Sequence, residues 1–210
     1  MRYPLLLTII LCGYAMLQAD SVAPSRQYLV TSPSSRYYFV MLPSRSTEAG
    51  QQSNEDGGSG VAYRLMRDGS IQEMWRTKGW YSQKVFLAED CRYLVRIDSV
   101  IEGNAVSDKD VAVAFYDKGV LIKSYSTKDL VLDSTKISVS VSYYKWLARD
   151  VARDRYVIHG GVSFDSEPEP VLTIENTFRL KTADGILYTF DVSNGNIVSK
   201  EITAVTGSDR

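Results

Sequence analysis

The sequence predicts an all-β domain, mainly antiparallel, and three observations carry that reading. Short apolar runs recur along the chain, with turn residues about every 8–12 positions, which is the spacing of small antiparallel strands. Tyrosine is abundant, at 14 against 6 Phe and 3 Trp, and aromatic and β-branched side chains suit a pleated, half-buried surface. Three of the turns carry glycine, at Asp68-Gly69, Lys118-Gly119 and Asn194-Gly195. Glycine enters the positive-φ turns of tight hairpins without a Cβ clash.

The elements follow in order. QYLV and RYYFVML read as strands on either side of the turn cluster TSPSS. Residues 44–60 are rich in Gly, Ser and Gln, and are expected to form a mobile surface loop. VAYRLM and SIQEMW flank Arg67-Asp68-Gly69 as a hairpin, and KVFLA and RYLVRIDSV are split by Glu89-Asp90-Cys91. VAVAFY and VLIKSY flank Asp117-Lys118-Gly119. The first of these two is apolar on both faces, which marks a central strand. Residues 137–142 alternate strictly, with Ile137, Val139 and Val141 on one face and serines on the other, as a half-buried strand does. The stretch 143–154 is the best helix candidate, because Leu147 and Val151 lie four apart and Ser142 can cap it. RYVIHGGVSF, LTIENTFRLK, ILYTFDV and NIVSKEIT complete the strands, and residues 206–210 read as a frayed tail.

The first 19 residues have the layout of a secretory signal: Arg2, an apolar stretch from Leu5 to Leu17, and small residues at Gly13, Ala15 and Ala19. That stretch is short for a membrane span, which needs about 20 residues. The expected organisation is a signal over 1–19, a polar lead-in over 20–27 and a single β domain over 28–205. The product is expected to be periplasmic or extracellular, with no membrane span after cleavage. The mature chain, on the order of 190 residues, is long enough for one sizeable core. With Cys12 in the signal, Cys91 is left without an intrachain disulfide partner.

A two-part unit recurs. Its first part is a turn followed by Arg-Tyr and an apolar strand, at Arg36-Tyr37, Arg92-Tyr93 and Arg155-Tyr156. Its second part is a strand, a glycine turn and another strand. Ser32-Pro33-Ser34-Ser35-Arg36-Tyr37 and Asp191-Val192-Ser193-Asn194-Gly195 resemble the hairpins of β-propeller blades, and the whole chain resembles secreted bacterial proteins with such WD-repeat-like hairpins. The resemblance implies a propeller-like or incomplete propeller fold of about three hairpin units with one short helix. It brings no activity with it. A β-sandwich is the alternative, since Trp-Asp dipeptides are absent and closed propellers have at least about four blades.

Composition excludes more chemistry than it suggests. Lys plus Arg total 24 and Asp plus Glu 25, so there is no electrostatic footprint for nucleic acid or anionic lipid. His159 is the single histidine, and no Gly-x-Ser-x-Gly elbow accompanies it. Metal sites of the common zinc types and cofactor-binding loops are not expected. Ser142 and Lys145 have the Ser-x-x-Lys spacing of penicillin-recognising enzymes, but the companion motifs are missing. Asp108 with Asp110, and Glu167 with Glu169, are acid pairs of the kind that hydrolyse glycosides when they face one another across a cleft. No catalytic residue is assigned. Two aromatic clusters, Trp75, Trp80 and Tyr81, and Tyr143, Tyr144 and Trp146, are the candidate binding residues, since exposed aromatics stack on sugars or anchor a protein partner. Buried, the same residues fill the core. The expected function is an exported, non-enzymatic binding or scaffold module for a protein or carbohydrate. The alternatives are an acid-dependent hydrolase and a subunit of a homo-oligomeric β assembly.

Overall fold

The computed structural model describes residues 24–44, 57–148 and 170–202. Its strands form four antiparallel sheets. The first sheet is a meander of β1 (Tyr28–Thr31), β2 (Tyr37–Leu42), β3 (Ser59–Leu65) and β4 (Ile71–Lys78). The second has the order β5 (Lys84–Leu87), β6 (Tyr93–Ile97), β8 (Val113–Asp117) and β9 (Val120–Tyr125). Its β6–β8 connection contains β7 (Val100–Glu102), which joins β11 (Tyr143–Lys145) and β10 (Ser138–Val139) in a small third sheet. The last sheet is again a meander, β12 (Val171–Leu172), β13 (Thr177–Lys181), β14 (Ile186–Asp191) and β15 (Asn196–Ile202). Among the described residues no helix is long and apolar enough to cross a membrane.

The three four-stranded sheets repeat one another in detail. Before the second strand the backbone turns through a positive φ at Ser35, Cys91 and Asn176. The hairpin between third and fourth strands closes on Gly69, Gly119 and Gly195, all at positive φ. Each fourth strand carries one extra residue, so the register shifts between Ala62 and Tyr63, between Phe115 and Tyr116, and between Thr189 and Phe190. Such bulges sharpen the twist of an outer strand. The first strands β1 and β12 both lie against β5.

The sheets stack face to face. Phe39, Met41, Ala62 and Trp75 of the first sheet pack against Val85, Leu87, Leu94, Ala114 and Tyr116 of the second. The other face of the second sheet, with Tyr93, Val95, Ile97, Val113 and Phe115, packs against Phe178, Leu180, Tyr188 and Phe190 of the last. The second sheet is thus covered on both sides, which is why β8 is apolar on both faces. Successive hairpins dock on the preceding sheet. A Cβ at Gly119 would lie 2.5 Å from the Arg76 carbonyl oxygen, and one at Gly195 would lie 2.8 Å from Lys123 Cβ.

Several expectations are corrected. Residues 143–145 form a strand where a helix is expected: Tyr144 and Trp146 point into the core two positions apart, with Lys145 exposed between them, so burial follows a period of two. The described short helix lies instead at α1 (Thr127–Leu130), where Ser126 and Asp129 form a capping box. The 137–142 segment contributes only the exposed strand pair Ser138–Val139 at the edge of the small sheet; Ile137 packs against the core, and Val141 is 95% exposed. Ser59 and Gly60, assigned to the mobile loop, belong to β3. Gly60 is held against the Phe39 ring, where a Cβ would meet Cζ at 2.0 Å. Arg155, Tyr156, His159, Glu167, Glu169, the signal region, residues 45–56 and the tail lie outside the described residues.

Candidate functional site

A cavity of about 380 Å³ opens where β1 and β5 begin and β6 ends. Tyr81, Ser82, Arg96, Asp98, Glu102 and Asp110 contribute to its wall. Three elements fix them. The β4–β5 connection supplies Tyr81 and Ser82, and the hydroxyl of Ser82 is locked by donation to the Ile97 carbonyl at 2.8 Å. The end of β6 supplies Arg96, the residue just after that strand is Asp98, and β7 with the approach to β8 supplies Glu102 and Asp110.

Arg96 and Asp98 form an ion pair in which Nε donates to Oδ2 at 3.0 Å. Both side chains are largely shielded from water, at 15% and 18% exposure. Burial raises the Asp98 carboxyl above the ordinary aspartate range despite the opposing charge of Arg96. The guanidinium also lies 5.0 Å over the ring of Trp80, which stacks on Tyr116 at 5.1 Å. Asp110 is held from the other side. It accepts bonds from the Tyr144 hydroxyl at 2.5 Å, from Thr127 Oγ1 at 2.6 Å and from the Thr127 backbone N–H at 2.8 Å. Burial, and then this bond to Asp110, raise the Tyr144 hydroxyl above its usual range. Trp146 Nε1 donates to the Asp98 carbonyl at 2.7 Å, so the small sheet clamps the acidic loop from beneath.

The candidate aromatic residues separate into two groups. Trp75, Tyr144 and Trp146 are buried, and Trp75 Nε1 donates to the Cys91 carbonyl at 2.6 Å. Trp80, Tyr81 and Tyr143 are half-buried. Tyr81 lines the cavity, its hydroxyl anchored to the Arg26 carbonyl at 2.8 Å, and Trp80 supports the cavity from under Arg96. The acid pair Asp108 and Asp110 is not brought together: Asp108 is exposed and pairs with Lys128 at 3.6 Å. Asp98 takes its place opposite Asp110, a partnership that no sequence spacing announces. Ser142 and Lys145 stand three apart on an extended chain, so their side chains leave opposite faces and do not converge. Among the described residues no group of three or more His, Cys, Asp or Glu side chains converges on one point.

With one cation and three carboxylates, the wall favours a ligand that offers hydrogen-bond donors, as hydroxyls and ammonium groups do. The chain matches no known family model and no curated protein sequence.

Proposed function

We propose that the chain is an exported binding module whose four-stranded sheets are the blades of an open propeller, and that it holds a carbohydrate in the cavity at their inner ends. The observation that supports this most directly is the placement of Tyr81 beside Arg96, Asp98 and Asp110 in one cavity where the first strands meet. A half-buried ring offers a stacking platform, and locked carboxylates offer acceptors for sugar hydroxyls. The repeated bulges and glycine hairpins support the blade reading. Titration calorimetry against a panel of neutral and amino oligosaccharides tests the ligand. Binding that is lost in Tyr81→Ala and Asp98→Asn supports the reading, whereas equal heats in the wild type and both variants overturn it. Mass spectrometry of the exported protein tests the signal, with a first residue expected between Met16 and Asp20.

One observation favours a second reading. An acid raised by burial beside a second carboxylate is the arrangement of a general acid and its partner. Turnover of 4-nitrophenyl glycosides that disappears in Asp98→Asn supports hydrolysis, and no turnover with intact binding removes it.

A further inference from the structure

We propose that the outer face of the first sheet is a self-association surface, on which a second copy of the chain docks through the same face. The shared bulge sets the three sheets in register with one another. Aligned on it, Tyr63, Tyr116 and Phe190 are counterparts, and so are their cross-strand neighbours Tyr38, Leu94 and Phe178. One step further along lie Val61, Ala114 and Tyr188. In the second and last sheets this face meets the sheet before it and is sealed: Leu94, Ala114 and Tyr116, and Phe178, Tyr188 and Phe190, are all buried.

The first sheet carries the same kind of apolar face with no sheet before it among the described residues. Leu29, Val40 and Val61 form one row across the strands, and the row beside it holds Tyr38 and Tyr63, stacked at 5.2 Å. Leu29 is 55% exposed, and Tyr38, Val40, Val61 and Tyr63 are half-buried. The hairpin glycine of this sheet is open as well: a Cβ at Gly69 would meet nothing within 4 Å, whereas its counterparts dock on a neighbour. At the opposite end of the stack the last sheet presents Arg179, Lys181, Thr189 and Ser199. Apart from the buried Leu187, that end of the described stack is polar, whereas the first sheet's end is apolar and built like the internal joints.

The rim selects the partner. Arg76 lies across from Val61 and Glu73 across from Tyr63, so both project on this face, and they pair with each other at 2.8 Å through Nε. A face bearing both signs at its edge is complementary to itself about a two-fold axis, with Arg76 of each copy reaching Glu73 of the other. Four strands at about 4.8 Å, and about six residues at about 3.3 Å, give a face of about 19 by 20 Å. That is below the size of a standard stable interface, so the association is weak and transient.

Sedimentation velocity of the purified full chain from about 1 to 300 µM reads this out. A reversible monomer–dimer equilibrium is expected. Leu29→Asp, at an exposed position, should abolish the dimer while leaving the circular dichroism spectrum and thermal midpoint in place. Arg76→Glu should weaken it by tenfold or more, because each rim becomes acidic, and adding Glu73→Arg should restore it by reversing the pair. A chain that stays monomeric throughout overturns the proposal, whether the face is covered by residues before Tyr28, by a glycan or by a different protein. A dimer indifferent to all three variants overturns it equally. The cavity plays no part in these variants, so sugar binding that persists in Leu29→Asp separates this result from the carbohydrate reading.

Discussion

Replacing Gly119 by alanine probes the joint between the first two sheets. Gly119 has a φ of +82°, and Lys118 before it has +48°, so the hairpin is a two-residue turn with both central residues left-handed. An L-residue at such a φ costs about 1–2 kcal/mol. At Gly119 the new Cβ would also lie 2.5 Å from the Arg76 carbonyl oxygen and 3.2 Å from Trp75 Cε3, both in the neighbouring sheet. Relieving an overpacked contact costs about 1–3 kcal/mol more. Gly69→Ala is the internal control, because its φ of +84° is nearly the same and nothing lies within 4 Å. Equilibrium urea unfolding should then show Gly119→Ala less stable than Gly69→Ala by about 1–3 kcal/mol at unchanged m-value. Tryptophan emission provides a second signal, since Trp75 sits at the joint. Equal losses in the two variants would refute close stacking of the first two sheets, and the blade reading with it.

Three further outcomes follow from individual side chains. The Cys91 thiol is buried, and burial together with Asp90 pushes it up to about 11, so it should resist Ellman's reagent at pH 8 until denaturant is added. Asp191 is held below the ordinary carboxylate range, first by the Ser193 hydroxyl and also by Asn194. Its contribution is therefore present above the unfolded aspartate range and is lost as pH falls through the lowered folded value, and Asp191→Ala should flatten that acid limb of the stability curve. Trp146 is fully buried and donates to Asp98, so Trp146→Ala should cost about 3–5 kcal/mol by urea unfolding and Trp146→Phe distinctly less.

Most strands are legible because their residues alternate and their turns are chemically marked. Asp68-Gly69, Lys118-Gly119 and Asn194-Gly195 all fall in the tight turns that glycine favours. The segment around Tyr144 and Trp146 is harder, since YYKWL fits a period of two and, read on to Val151, a period near four. Burial of both rings in the core shared by the second and last sheets decides for the strand. The short helix at Thr127–Leu130 has a single capping box and too few turns to leave a periodic pattern. The acidic cavity is less legible still. Asp98 follows β6 and Asp110 precedes β8, and they face one cavity only because β6 and β8 are neighbours while β7 leaves between them for another sheet.

Which faces remain open is a property of the order of sheets and not of any one strand. In β2, Phe39 and Met41 point one way and Tyr38 and Val40 the other, so the run is apolar on both faces, as in a strand sealed on both sides. The described fold seals one. In β13 the same comparison gives Phe178 and Leu180 on one face and Arg179 and Lys181 on the other, as in a strand with water on one side. If the first sheet were a finished end, selection against exposed apolar faces should have given β2 the pattern of β13. That it carries two apolar faces among the described residues is the basis of the proposed self-association, and the reciprocal Arg76 and Glu73 rim is what suits a second copy to that face.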